Sequence, residues 1–443
     1  MKIGYISADF GVPVFGFKGA SIHVREMVGA FRRKGHDVHI VSSAMHAGKG
    51  TEGESNMGQF GFDEIPEDAR ALFELDQAVA ANAGNVFFNS VLSSDFHLQI
   101  FKELNRFDKF WGEKTRVKQE LRNQFYNLTI FEQALEYFQQ NPVDFIYERY
   151  SLFAFAGIKL ARELGVPHIL EVNAPLAYEQ EKMRGLEMKN LALESERRIY
   201  RGTDHVFVVS QELKNYVVSC DVPQEQISVL PNGVDPKRFL SAGDGSAVRE
   251  KYGLTGKRTI GFVGSLKSWH GTDTLCTAFR DIHEQNSDAH LLIVGDGPER
   301  GALENFVQDS GLQDFVTFTG KIPYPEIPEY IAAMDITVAP YIPNDNFYFS
   351  PIKIFEYFAM GKPVVAGRIG QVENLVVDDE NGYMFEPGDT QALAEILTKL
   401  VGNPGDCEKM GGNGKAWVLQ ERTWDRNGAE VLAAVENAQN SQA

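Results

Sequence analysis

Short, wholly apolar runs alternate along this chain with segments whose apolar residues recur at helical spacing. Lys2 to Ser7 reads as a first buried strand. Ile22, Met27, Val28 and Phe31 then share one face of a helix that ends near Lys34-Gly35-His36, and Asp37 to Ser42 reads as the second strand. Strand, glycine-containing loop, helix and strand in that order predict the start of a doubly wound α/β sheet. Residues 45–115 are hard to read: Ala47 to Gly61 is a Gly/Ser/Glu-rich loop, with helices expected near 66–82 and 96–110. The length of this insertion suits either covering a substrate or extra packing. Leu121, Phe125, Leu128, Phe131, Leu135 and Phe138 form the stripe of a long helix over 114–140.

The alternation continues with strands at Asp144–Tyr147, Pro167–Val172, His205–Ser210 and Ile227–Leu230, a helix ending at Gly165 and a charged helix over 178–201. A turn, Pro231-Asn232-Gly233-Val234-Asp235, and a Gly/Ser-rich stretch over 240–247 mark a domain boundary. A second alternation follows. Strands are expected at 258–263, 290–295, 315–319, 335–339 and 363–366, and helices at 272–285, 298–310, 325–334, 351–360 and 389–401.

Composition narrows the function classes. The chain has 443 residues, 43% hydrophobic and 23% charged, which suits a globular protein of two or three domains. A formal net charge of -18 argues against nucleic acid as a partner. Cys220, Cys276 and Cys407 are far apart and form no metal or redox motif, which fits a reduced compartment. The N-terminal apolar run is too short for a signal peptide, and no stretch of about 18 apolar residues predicts a membrane span. A cytoplasmic location is the resulting expectation.

The chemistry concentrates in Ser350 to Ala366. Proline at 351 suits a first helical turn, with Ser350 as its expected N-cap. Ile352, Phe355, Phe358 and Ala359 give the helix one apolar face, and Gly361 ends it. Such a helix leaves its first N–H groups open to an anion. Lys353 opposes the helix dipole, so an anionic ligand would account for it. Glu356, one turn on, is placed to accept hydrogen bonds from hydroxyls, although the same pattern describes a plain amphipathic helix with two exposed charges.

Other candidates lie at strand ends, where open α/β sheets bind ligands. These are Asp9, Glu148, Arg149, Asn173 and Ser210 in the first half. In the second, the loop from Gly264 to Gly271 offers Ser265, Lys267 and His270, Gly295 opens Gly-Asp-Gly-Pro, and Glu373 sits in the loop from Gly370 to Asn374. Gly16 to Gly19 is G-x-x-G rather than G-x-G-x-x-G, which disfavours a dinucleotide dehydrogenase. No D-x-D pair exists, so no metal site is expected.

These residues form a set. Gly16 to Ser21, Tyr147 to Tyr150, Glu171 to Leu176, Pro231 to Asp235, Trp269 to Gly271, Gly295 to Pro298 and Ser350 to Tyr357 resemble the family 4 retaining glycosyltransferases, in that family's order. The resemblance implies the GT-B fold: two Rossmann-like doubly wound α/β domains facing a central cleft. It implies an acceptor domain over 1–238, a nucleotide-sugar donor domain over 239–422 and a final helix within 423–443 that crosses back to the first domain.

Residue by residue, the resemblance assigns Glu356 to the donor ribose, Glu373 to the donor base or to packing, and Gly16 and Gly19 to close approach of the donor phosphate. The chain departs from the family at four positions. Tyr348 replaces the first glutamate of an E-x7-E pattern, Ser265 and His270 replace a phosphate-binding Arg and Lys, and Asn173 replaces a histidine. Phosphate binding then leans on Lys353, Lys267 and the backbone amides of the helix opened by Pro351 and Ile352.

The expected reaction is transfer of a hexose from a nucleoside diphosphate sugar to a hydroxyl, with retention and without a cofactor. Lys353, Asn173, Glu148 and Arg149 are its candidate catalytic residues. The acceptor classes left open are a glycan, a lipid-linked glycan and a small metabolite. The alternatives are a nucleotide-sugar epimerase of the same fold and a non-catalytic sugar-nucleotide-binding protein. Lys114, Arg116, Lys118 and Arg122 allow either a peripheral membrane contact or a solvated helix face.

Overall fold

The computed structural model describes residues 1–16, 19–45, 70, 73, 83–91, 94–112, 115–344 and 347–442. The loop expected over Ala47–Gly61 lies outside them, as does nearly all of the helix expected over 66–82. The chain divides into two compact units, Met1–Pro231 with Asp425–Ala443, and Asn232–Trp424.

In the first unit seven parallel strands are ordered β3-β2-β1-β4-β5-β6-β7. They are β1 (Lys2–Ser7), β2 (Asp37–Ser42), β3 (Val86–Ser90), β4 (Phe145–Arg149), β5 (His168–Val172), β6 (His205–Val208) and β7 (Ile227–Val229). Near-continuous apolar runs buried on both faces make β2, β1, β4, β5 and β6 interior parallel strands, while the edge strands β3 and β7 are half-buried. Helices of eight or more residues here are α1 (Gly19–Arg33), α2 (Asp95–Trp111), α3 (Val117–Gln140), α4 (Ala156–Leu164), α5 (Leu176–Met183), α6 (Lys189–Gly202) and α7 (Gln211–Ser219). Tyr126, Ile130, Ala134 and Phe138 of α3 pack on Ile6, Val41 and Ile146. Ser7 pairs with Ser42 and with Arg149, and Arg149 pairs with Glu171, so the carboxyl ends of four strands, β1, β2, β4 and β5, come level.

In the second unit six parallel strands are ordered β10-β9-β8-β11-β12-β13. They are β8 (Arg258–Val263), β9 (Ala289–Val294), β10 (Val316–Phe318), β11 (Ile336–Ala339), β12 (Val364–Gly367) and β13 (Gly382–Phe385). The longer helices are α8 (Thr272–Gln285), α9 (Arg300–Asp309), α10 (Ile352–Ala359), α11 (Thr390–Val401) and α12 (Pro404–Glu421); the last helix, α13 (Trp424–Gln442), belongs from Asp425 on to the first unit. Ile260, Ile293, Val338 and Val365 on the sheet and Phe279, Leu393 and Leu397 on helices share one core.

Several elements differ from the sequence expectation. The charged helix over 178–201 is two helices, α5 and α6. The break carries Gly185 at φ 83°, and Glu120 of α3 accepts the N–H groups of Glu187 and Met188 at 2.9 and 2.8 Å. Ser350 does not cap α10: its hydroxyl accepts the N–H of Asn232 at 2.9 Å, and its carbonyl accepts the Asn232 amide at 2.7 Å. These bonds also set the division between units at Pro231, ahead of the expected 238, because they tie the turn to α10. At the far end, Asp425 meets Arg33 at 2.7 Å and the Asn427 amide reaches the carbonyl of Pro231 at 2.7 Å, so the body of α13 packs with the first unit.

α10 is held against α12 by close backbone approach. A Cβ at Gly411 would lie 1.9 Å from the carbonyl oxygen of Gly361, and one at Gly414 would lie 2.4 Å from the Phe358 ring. Overpacking of such a contact costs ~1–3 kcal/mol. Gly411→Ala is therefore expected to lower the melting temperature in a thermal melt, whereas Ala at the open, helical Gly412 is expected to raise it through the helix propensity it adds.

Candidate functional site

In the second unit the carboxyl end of β8 and the start of α10 converge on one ammonium. Lys353 is half-buried as a residue, but its Nζ is sealed from water and has no hydrogen-bond partner among the described residues. It lies 4.1 Å from the ring centre of Phe262 and 5.5 Å from that of Tyr341. A Cβ at Gly264 would come 2.8 Å from it, so glycine there leaves the ammonium its place. Burial lowers the Lys353 pKa to about 7, against a smaller opposing pull from Glu356. A cation desolvated without a partner is costly, and an anion beside it removes that cost.

The surrounding residues fit this reading. His270 donates Nδ1–H to the carbonyl of Ser265 at 2.5 Å, and burial followed by the charge of Lys353 lowers its pKa to about 3. It is neutral, so it adds no charge beside Lys353, and its Nε2 remains an acceptor. Gly295 packs on Gly264, where a Cβ would sit 1.9 Å from the carbonyl oxygen. Tyr357, one residue past Glu356, accepts the Val263 N–H at 2.8 Å and fixes α10 against β8. Glu356 is buried. Pro351 is extended, at φ -79° and ψ 94°, and precedes the first helical residue Ile352.

Ser265 and Lys267 are exposed, and Lys267 lies over the Trp269 ring at 4.6 Å. Glu373 is exposed on the turn Gly370–Asn374. That turn reaches the lysine's aromatic wall through Phe347, which Gly370 abuts and which meets Tyr341 edge to face at 4.9 Å. The second unit thus brings together Gly264, His270, Gly295, Pro351, Lys353 and Glu356. Phe262, Tyr341 and Tyr357 belong with them, although the sequence does not single them out for the site.

In the first unit the level ends of β1, β4 and β5 carry a different cluster. Glu171 accepts hydrogen bonds from His23 of α1, from the Tyr147 hydroxyl and, at 2.5 Å, from the Asn173 amide. Burial pushes the Glu171 pKa up, but the His23 charge and these hydrogen bonds outweigh it and bring it to about 2. Glu171 is therefore a fixed anion that orients the Asn173 amide. Its Oδ1 is buried with no partner among the described residues. Arg149 lies in register with Glu171, and its Nε is likewise unpartnered.

Other strand-end candidates have structural roles. Glu148 is fully buried and meets His168 Nε2 at 2.9 Å beneath Gly157 of α4. Side chains alternate across a strand, so Glu148 points to the face opposite Tyr147 and leaves the candidate site. Ser210 caps α7, accepting the Leu213 N–H at 3.2 Å. Gly16 packs against Pro13 and Ser21, and its carbonyl accepts from Arg25. Gly19 opens α1, while Phe17 and Lys18 between them lie outside the described residues.

Residues 257–403 match the family model described as glycosyl transferases group 1, and residues 106–238 match that of glycosyltransferase family 4. A GDP-mannose-dependent alpha-(1-6)-phosphatidylinositol monomannoside mannosyltransferase of Mycolicibacterium smegmatis is 31% identical over 251 residues, 56% of this chain and 66% of that protein. The match spans slightly less than two thirds of that relative's length. A 2-deoxystreptamine glucosyltransferase of Streptomyces kanamyceticus is 26% identical over 272 residues, 60% of this chain and 69% of that protein. Among solved structures, Anabaena HepE in complex with UDP has a TM-score of 0.69 at 18% identity, covering 99% of this chain and 100% of that one. Sucrose-phosphate synthase of Thermosynechococcus elongatus has 0.69 at 19%, covering 99% of each chain. Both solved structures carry the GT-B fold, and the two parallel sheets here match it.

The Lys353 shift sets a pH dependence. Its pKa is about 7 in the fold against an ordinary 10.5, so between those values the unfolded chain carries the extra proton. This group therefore adds to stability as pH rises from about 7 towards 10.5. An anion beside Nζ restores the charged form, so its binding takes up a proton and weakens as pH rises. Calorimetry of UDP or GDP binding at pH ~8, in two buffers of different ionisation enthalpy, is expected to show this uptake in the wild type. The Lys353→Met variant is expected to show none.

Proposed function

Because the chain belongs to the family 4 glycosyltransferases, we propose that it transfers a hexose from a nucleoside diphosphate sugar to an acceptor hydroxyl, with retention at the anomeric carbon. The observation that carries this reading is the sealed, unpartnered ammonium of Lys353 at the opening of α10. A nucleoside diphosphate leaves with its charge on the oxygens nearest the sugar. Lys353, with the N–H groups at the start of α10, supplies preorganised positive potential where that charge develops. Gly264 and Gly295 keep the approach open, and the buried carboxylate of Glu356 accepts from the donor's ribose hydroxyls.

The similarity to a GDP-mannose-dependent mycobacterial enzyme supports a nucleotide-sugar donor. The relatives pair this scaffold with acceptors as different as a phosphatidylinositol mannoside and 2-deoxystreptamine. The sequence presents no obvious nucleophile for a covalent intermediate. Retention then follows from same-face displacement: the leaving phosphate oxygen takes the acceptor's proton as the new glycosidic bond forms. Asn173, oriented by Glu171, presents its Oδ1 as an acceptor for a sugar hydroxyl. Arg149 is a second candidate donor at that end of the sheet.

A thermal-shift screen against UDP, GDP, ADP and their common sugar conjugates tests the reading. One nucleotide class is expected to raise Tm, with about 2.7 kcal/mol of stabilisation at a hundredfold excess over Kd. Glu356→Ala is expected to remove that shift. Lys353→Ala is expected to lower kcat by roughly 10²–10³, as loss of one preorganised donor does elsewhere. Near-normal turnover in Lys353→Ala would sink the assignment.

A further inference from the structure

A cavity of about 260 Å³ opens in the first unit between the loop after β1, helix α3, the loop after β4 and helix α5. A single water needs only ~10–15 Å³ by this kind of measure, so the space suits a small molecule or the end of a larger one. Its walls carry formal charges of both signs, Arg116, Arg122 and Arg184 against Asp9, Glu120 and Glu179. The hydrogen-bonding capacity already in use separates the two sets.

Both oxygens of Glu120 accept backbone N–H groups, from Glu187 and Met188. Asp9 accepts the Gly11 N–H at 2.7 Å. Asn127 is saturated: its amide donates to the carbonyls of Asn123, Gln124 and Phe153, and its oxygen accepts from Phe155 and Ala156. Arg116 donates Nε–H to the carbonyl of Arg184 at 2.8 Å.

Two buried donors in the wall have no partner among the described residues. Arg122 is stacked 4.3 Å above the Phe10 ring, donates only a long 3.5 Å bond to Asn123, and has a buried Nε with no partner. It forms no salt bridge among the described residues. Ser151 is 6% exposed, lines the same cavity, and has a buried hydroxyl with no partner. A pre-positioned guanidinium and a hydroxyl, both unspent, call for a ligand group that accepts without donating. Burial lowers the Arg122 pKa while Asp9 raises it, so Asp9 balances the cation in the empty cavity without bonding to it.

We propose that this cavity binds the acceptor through an oxyanion, a phosphate or a carboxylate, held by Arg122 and Ser151. Acceptor specificity then resides in these two side chains. The proposal rests on the transferase reading for the word acceptor; the anion site itself does not. The planar fork of arginine suits either oxyanion, and lysine would not reproduce it.

The test uses the full-length protein with its nucleotide site saturated by UDP or GDP, so that phosphate added later reports on the cavity. Binding of glucose 6-phosphate, glucuronate and glucose is compared by ligand-observed NMR titration. At least one charged sugar is expected to bind tenfold or more tightly than glucose, and the better of the two identifies the oxyanion. Arg122→Gln is expected to abolish that preference, Arg122→Lys to retain part of it, and Ser151→Ala to weaken the charged sugar several-fold. Nucleotide binding is expected to stay unchanged in all three, which reports that they fold.

Equal binding of charged and neutral sugars by the wild type would overturn the proposal. So would a preference that survives in both Arg122→Gln and Ser151→Ala. If no nucleotide binds, the transferase reading fails while the sugar comparison still decides the anion site. If nucleotide binds and no anion preference appears, only the present proposal fails.

Discussion

The second unit is arranged around a cation kept out of water with no hydrogen-bond partner among the described residues and only a smaller pull from Glu356 to offset its burial. An ammonium at Lys353 with aromatic faces on two sides and no hydrogen bond is unfavourable for the fold alone, and its depressed pKa expresses that cost. Other parts of the unit hold it there. Tyr357 locks α10 to β8, Asn232 anchors both polar groups of Ser350, and glycines at 411 and 414 let α12 lie against the same helix. Strain concentrated at one charge and offset by packing around it is the expected form of a site built for a ligand.

The first unit treats charge in the opposite way. Glu171 is buried in the sheet, yet His23, Tyr147 and Asn173 satisfy it, and it stays ionised. Its work is to fix its neighbours. A saturated anion orients an amide on one unit, and a cation without a hydrogen bond among the described residues sits on the other. The first arrangement gives a fixed geometry, and the second gives binding energy that is released only when the ligand arrives.

Much of this was legible in the order of residues. Strands such as Lys2–Ser7 and Arg258–Val263 announce themselves because parallel strands buried on both faces are continuous apolar runs. Lys353 was legible because a cation in a first helical turn contradicts the helix dipole. Other features were hidden for physical reasons. Strand β13, Gly-Tyr-Met-Phe, is too short and too plain to stand out, and α12 carries glycines at 405, 411, 412 and 414 that read as a helix breaker until α10 is seen beside it. The break at Gly185 depends on a carboxylate from residue 120, far away in sequence. Glu148 read as a site residue because strand ends gather chemistry, but pleating turned it to the other face, onto His168.

The last helix raises a question of timing. Asp425 bonds to Arg33 across 392 positions of chain, and Gly428 lies against Ala30 and Phe31 of α1. The N-terminal unit is therefore finished by residues made after the whole of the second unit. During synthesis α1 leaves the ribosome early, and the side of it beside Ala30 that Gly428 meets stays uncovered until α13 emerges. Contacts this far apart in sequence form slowly and leave apolar surface open meanwhile. The nascent chain is thus committed to a long interval in which its first domain is folded but uncovered, and that interval is where chaperone demand and loss to aggregation concentrate.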